Sequence, residues 1–257
     1  VIPAGKRLRP QELGGMAALG ITNLLVATQP RVGILSSGDE VVNPEIEPAP
    51  GQVRDANSYS LSALVQSAGG TALRYGIFPD RLEPLLAAAQ NAMQECDIVI
   101  FTAGSSASAR DLTAQVINHL GPPGVLVHGV GVRPGKPTIL ANCQGKVVIG
   151  LPGNPVSALV IARLFLKPMI ERHLGIPAGG TPPVIYARLS VNLASQAGRE
   201  DWVPVRLIPE PGGLKAEPVF SKSNLIFSLV RADGLVRVPP DATGLAANDH
   251  VWVYPLD

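Results

Sequence analysis

The sequence has 257 residues, enough for one large or two modest domains and too many for a single small core. Charge is near balance, 21 Lys+Arg against 20 Asp+Glu, without the basic excess of a nucleic-acid binder, and 46% hydrophobic against 16% charged residues excludes global disorder. No apolar run reaches the length of a membrane span, and Cys96 and Cys143 form neither a CxxC nor a disulfide framework, so free thiols of a cytoplasmic protein are expected.

Residues 1–30 read as the tail of a domain that lies outside this sequence. A short helix is expected over 11–19, stopped by Gly20, and a short strand at 24–26. From Arg31 the pattern turns to strand–helix alternation. Val32 to Leu35 is an apolar run ending in Ser36-Ser37-Gly38-Asp39-Glu40. Asn57 caps a helix with Leu61, Leu64, Val65 and Ala68 on one face. A strand follows over 72–78, and Asp80 opens a second helix carrying Leu82, Leu85, Leu86, Ala89 and Met93. The run 98–101 is a buried strand leading into Thr102-Ala103-Gly104-Ser105-Ser106-Ala107-Ser108, and Asp111 begins a helix to Leu120. Strands at 125–127 and 147–149 lead into Pro134-Gly135-Lys136-Pro137 and Leu151-Pro152-Gly153-Asn154-Pro155, and a long helix over 156–174 closes the segment.

Continuous Val/Ile runs alternating with amphipathic helices imply a mainly parallel, three-layer α/β sheet over 31–177. After it, 178–257 carries short alternating runs at 185–191, 202–207, 234–238 and 251–254, the texture of a small all-β sandwich or barrel. The four polar loops each follow a strand, and strand carboxyl ends line the ligand crevice of an open α/β sheet.

Each loop has a plain reading beside a chemical one. Asp39 and Glu40 are a solvated turn or oxygen ligands for a hard cation. Asp55 and Asn57 are helix caps at an N-terminus that also offers N–H groups to an anion. The 102–108 loop is a small-residue turn or a backbone cradle for a phosphate or pterin, and without Gly-Lys-Ser/Thr it is no Walker loop. Lys136, between two prolines, is a solvated surface charge or an oxyanion anchor. Asn154-Pro155 suits a helix start, with Gly153 permitting close approach. Arg199 and Ser223 read as a surface arginine and a turn serine.

In order and together, these segments resemble the molybdopterin molybdenumtransferase family, which includes the E domain of gephyrin. Ser37 to Glu40 is similar to its Thr-Gly-Asp-Glu loop, Asp55-Ala56-Asn57 to its Asp-Ser-Asn helix start, and 103–111 to its glycine-rich loop. Pro134–Pro137 and Leu151–Ala158 match Pro-Gly-Lys-Pro and Leu-Pro-Gly-Asn-Pro-Val-Ser-Ala intact, and the likeness continues through Gly198-Arg199 and Ser223. The resemblance implies the molybdopterin-binding fold followed by a small β domain. It also implies a reaction: insertion of molybdate into adenylylated molybdopterin with magnesium-assisted release of AMP. It places Asp39, Glu40, Asp80 and Asp111 near the magnesium and Lys136 against an oxyanion. Gly104, Ser105 and Ser106 fall on the pterin phosphate, and Pro134, Gly135, Pro137, Pro152, Gly153 and Asn154 in the substrate-binding loops. Arg199 and Ser223 fall on molybdate where the two domains meet. A homodimer is implied, with the part of one subunit absent here completing the site of the other. A molybdopterin adenylyltransferase is the implied partner, with neither nucleic acid nor membrane involved.

Ala103, Ser108 and Ala109 replace two family glycines and an acid, narrowing the loop and removing a magnesium contact. That departure keeps a second expectation open: a catalytically weakened or non-catalytic relative that binds a pterin or a protein partner. The related adenylyltransferase itself is disfavoured by the β domain and by the Pro-Gly-Asn-Pro segment. Molybdate and tungstate are both compatible with these residues.

Overall fold

The computed structural model describes residues 2–102, 107–177 and 182–256. Helix α1 (Pro10–Ala18) starts on a proline, where no N–H is needed, and the Glu12 carboxylate folds back to accept from Arg9 N at 3.0 Å. The strand expected at 24–26 is absent. Those residues are coil with Leu25 fully exposed, because an apolar run becomes a strand only beside an edge that can take its hydrogen bonds.

The chain then runs through β1 (Arg31–Ser37), β2 (Val41–Val42), β3 (Val53–Arg54), α2 (Asn57–Ser67), β4 (Thr71–Phe78), α3 (Leu82–Glu95) and β5 (Ile98–Thr102). It continues as α4 (Ala107–His119), β6 (Pro123–His128), β7 (Val132–Arg133), β8 (Ile139–Cys143) and β9 (Lys146–Leu151). Six of these strands form one sheet in the order β4-β1-β5-β9-β8-β6. Its β4–β1, β1–β5 and β5–β9 pairs are parallel, and the β9–β8 and β8–β6 pairs antiparallel. α5 (Pro155–Ile161) passes through a π-helical stretch, Ala162–Leu166, into α6 (Lys167–His173), so the single long helix expected there carries an irregular middle. Two cores sandwich the sheet. Phe101, Leu35 and Val99 face Leu85, Ala89 and Ile117 of α3 and α4 on one side. Ile34, Ile100 and Ile149 face Leu61, Val65, Ile161 and Ile170 on the other. Both faces being covered explains why the central strands are near-continuous Val/Ile runs.

The rest of the chain forms β10 (Ile185–Leu189), β11 (Leu193–Ala194), β12 (Glu200–Glu210), β13 (Gly213–Pro218), α7 (Phe227–Val230), β14 (Gly234–Val238), β15 (Gly244–Leu245) and β16 (His250–Pro255). The second sheet runs β13-β10-β16-β14-β12-β7. A further β13–β12 pairing closes five of its strands into a barrel around Leu189, Val205, Ala216, Val236 and Val253. The sixth strand, β7, comes from the α/β segment and pairs in parallel with β12. Val156 and Val160 of α5 pack on Trp202, Leu229 and Leu235 of the barrel, and Arg163 of the π stretch donates to the Leu256 carbonyl at 2.6 Å. No helix among the described residues is long and apolar enough to cross a membrane.

Candidate functional site

Two cavities lie side by side where the parallel strands end and the barrel meets α5. The first, about 380 Å³, is bounded by Ser36, Ser37 and Glu40 after β1, by Asp55 to Asn57 at the start of α2, and by Thr102, Gly153, Asn154 and Asn224. The second, about 600 Å³, is bounded by Arg133 to Pro137, Val156 and Ser157 on one side and by Asp201, Trp202 and Phe220 to Ser223 on the other. Asn154 Nδ2 donates to Ser223 Oγ at 3.0 Å, and Val156 N donates to the Ser223 carbonyl at 3.1 Å. The segments 154–157 and 223–224 are thus a wall common to both cavities.

The sheet explains the first cavity. β1, β5 and β9 are adjacent and parallel, so their carboxyl ends, at Ser36 and Ser37, Thr102 and Leu151, open on one rim. Asp55, 6% exposed, accepts from Ser36 Oγ at 2.7 Å and from Ser58 N at 3.0 Å, so it does cap the helix start while tying it to β1. Asn57 departs from its expected capping role. It lies inside α2, and its Nδ2 donates to Thr102 Oγ1 at 2.7 Å and to the Gly153 carbonyl at 2.8 Å. One amide therefore joins three loop ends, and its own Oδ1 is buried without a partner. Asn57→Ala leaves the Gly153 carbonyl short of a donor and is expected to cost about 1–3 kcal/mol, read as a lower urea midpoint at unchanged slope.

Asp39 and Asp80 meet at the end of β1 and β4, where Asp80 N donates to Asp39 Oδ1 at 3.2 Å. Helix α3 begins at Leu82, so Asp80 does not open it; the Arg81 N to Pro79 O turn holds Asp80 just ahead of the first helical residue. The Asp80 carboxyl is pushed above its ordinary range, first by burial and then by the charges of Glu40 and Asp39, with the Ser37 hydroxyl opposing. Asp80 Oδ1 and Ser37 Oγ are both buried, and neither meets a hydrogen-bond partner in good geometry. A crowded acid with an orphaned oxygen is what a hard divalent cation would complete, through one or two carboxylates with ligand and water oxygens filling the other positions. Among the described residues no three His, Cys, Asp or Glu side chains converge on one metal position. Asp111 lies in the second turn of α4, which starts four residues earlier than expected because Ala107 to Arg110 already continue the helix; its side chain is exposed.

The second cavity corrects the expectation that all four loops share one crevice. The Pro-Gly-Lys-Pro turn follows β7, not the strand at 125–127, and β7 belongs to the barrel sheet. Pairing of Glu200 with Val132 and of Asp201 with Arg133 therefore hangs Lys136, which is exposed, over the barrel side. Gly135 is buried under the turn, while Pro152 is buried and lines neither cavity. Ser223 lines the second cavity. Arg199 does not; its Nε donates to Asp201 Oδ1 at 2.9 Å. Gly104, Ser105 and Ser106 lie outside the described residues. Thr102, the first residue of the 102–108 loop, lines the first cavity, while Asn224, Arg133, Lys222 and Asp201 were missed. Only Arg133 carried a signal, standing next to the Pro-Gly-Lys-Pro turn.

Residues 33–172 match the family described as "Probable molybdopterin binding domain", and residues 186–256 match "MoeA C-terminal region (domain IV)". The molybdopterin molybdenumtransferase of Nostoc sp. is 32% identical over 265 residues, covering 100% of this chain and 60% of its own length. That of Haemophilus influenzae is 29% identical, with 100% of this chain and 64% of its own length covered. A crystal structure of a molybdopterin biosynthesis MoeA protein from Pyrococcus horikoshii superposes with a TM-score of 0.86 at 34% identity, covering 100% of this chain and 62% of that one. The chain thus spans about three fifths of the length of the relatives it matches.

Proposed function

The chain belongs to the MoeA-like molybdopterin molybdenumtransferase family, and on that premise we propose that its two cavities are the two halves of a molybdate-inserting site. The observation that carries this reading is the common wall, Asn154 bonded to Ser223, with carboxylates gathered beyond one side and cations on the other. Adenylylated molybdopterin lies on the first side, its phosphates toward the acids, and molybdate on the second. A magnesium ion taking one or two of the Asp39, Glu40 and Asp80 carboxylates, with phosphate and water oxygens in its other positions, would offset the charge that grows as the phosphoanhydride is cleaved and AMP leaves. Lys136, on a turn stiffened by Pro134 and Pro137, brings a fixed positive charge to the oxyanion. Asn57 keeps the loop ends of the first cavity together, and the Gly153 backbone permits a flat ligand to approach. Asp111, Arg199 and the 104–106 loop belong to the reading through the family likeness. So do a homodimer, delivery of the pterin by a molybdopterin adenylyltransferase, and a cytoplasmic setting.

The test mixes the chain with adenylylated molybdopterin, magnesium and molybdate and follows AMP by chromatography. Release that requires both ions is expected, and Lys136→Ala should lower it about 100-fold, the loss typical of one preorganised charge. Pterin binding with no AMP release, in this chain and also in a version restored to the length of its relatives, would make it a non-catalytic relative. Absence of binding would end both readings.

A further inference from the structure

The molybdate reading leaves one buried charge without a role. Asp201 is 4% exposed and lines the second cavity, where the other charged lining residues, Arg133, Lys136 and Lys222, are all cations. An acid in an anion cavity weakens it unless it organises the cations. Asp201 takes Arg199 as a fork, Nε on Oδ1 at 2.9 Å and Nη2 on Oδ2 at 3.5 Å, and Arg133 Nη1 also reaches Oδ2 at 3.5 Å. The backbone accounts for the meeting. β7 and β12 pair Arg133 with Asp201, and Glu200 N donates to the Gly131 carbonyl at 2.8 Å, which clamps the approach to the Pro-Gly-Lys-Pro turn. Partners in parallel register show their side chains on the same sheet face.

We propose that Asp201 is a positioning residue of the oxyanion cavity. It fixes Arg133 and Arg199 beside the Lys136 turn and leaves the cavity lining with a net charge of two plus, matched to a tetrahedral dianion. The inference rests on the molybdate reading and assigns the residue that ties Arg133, on the cavity wall, to Arg199, which lies off it.

Asp201→Asn separates positioning from plain electrostatics. Removing a negative charge from an anion cavity tightens binding if charge alone matters, and loosens it if the arginines lose their anchor. Calorimetric titration of the full chain with molybdate should show Kd rising about tenfold in D201N, with D201E recovering most of the loss. Arg199→Lys keeps the charge and loses the fork, so it should weaken binding in the same direction, and it serves if D201N fails to fold. Equal or tighter binding in folded D201N, or unchanged binding in R199K, overturns the proposal. Sulfate is the second probe. Wild-type protein that binds sulfate as tightly as molybdate ends the molybdate reading, while the variants, titrated with sulfate, still decide the role of Asp201. Wild-type protein that binds neither overturns the role itself.

Discussion

Asp80→Asn is expected to make the chain more resistant to urea at neutral pH while lowering magnesium-dependent AMP release by about 100- to 1000-fold. The stability gain follows from the direction of the Asp80 shift. Burial, then Glu40 and Asp39, raise this carboxyl above its ordinary value, so the folded protein holds the proton more tightly than the unfolded chain. Below the ordinary aspartate range the group is protonated in both states and costs nothing. As pH rises past that range the unfolded chain ionises first, and the cost is complete once pH exceeds the raised folded value. Asparagine keeps the shape and removes the charge, so the gain should be present at pH 7 and vanish in acid. The functional loss follows from the same crowding, because the Glu40 and Asp39 charges that raise the Asp80 carboxyl are those a divalent cation would offset, and the unpartnered Asp80 Oδ1 is the oxygen it would take. Two further readouts decide it. Magnesium should raise the thermal midpoint of the wild type and leave that of D80N unmoved. A less stable D80N at pH 7 would mean that the carboxylate is satisfied in a way its orphaned oxygen does not show.

What could be read from the sequence divides along physical lines. β5 was legible because Ile98 to Phe101 is buried on both faces and its composition says so; α3 was legible because its leucines recur at three and four residues, although its start fell two residues late of Asp80. β13, Gly-Leu-Lys-Ala-Glu-Pro, was not, since its ladder to β12 is backbone bonding under a mostly polar surface. The π stretch in the long helix has no mark in Ala162 to Leu166, and Arg163 within it donates to the Leu256 carbonyl of the barrel segment, a partner more than ninety positions away. In the site, loops after parallel strands were predictable from topology, and Ser37, Glu40 and Gly153 to Pro155 do open on one cavity, with Asp39 outside its lining. The departure of the Pro-Gly-Lys-Pro turn depends on two residues, Val132 and Arg133, joining a strand nearly seventy positions later. Nothing local encodes that pairing. Asn57 and Asp201 were hidden for a related reason: each is an ordinary polar residue whose partners become visible only when distant segments meet.

Gly135→Ala is expected to cost about 2–5 kcal/mol and to remove Lys136 from the cavity at the same time. The position carries two separate constraints. Its φ of +131° is one that residues with a Cβ rarely adopt, a penalty of roughly 1–2 kcal/mol. A Cβ placed there overlaps the side chain of Ile161, which is fully buried between Ile34, Ile149 and Leu61, and overpacking such a core costs about 1–3 kcal/mol more. The turn has little freedom to retreat, because the Gly135 carbonyl accepts from Thr138 N at 3.1 Å and Thr138 Oγ1 at 2.7 Å, and Thr138 itself is wholly buried. Gly145→Ala is the matched control. Gly145 has a φ of +81°, and a methyl group added to it would meet nothing within 4 Å, so it should show the backbone penalty alone. The difference between the two urea midpoints then reports the Ile161 overlap together with the costlier φ of Gly135, and G135A alone should also weaken oxyanion binding. Equal losses in both variants would mean that α5 yields to the methyl group, and that the stiffness assigned to the Lys136 turn comes from its prolines and not from the helix beneath it.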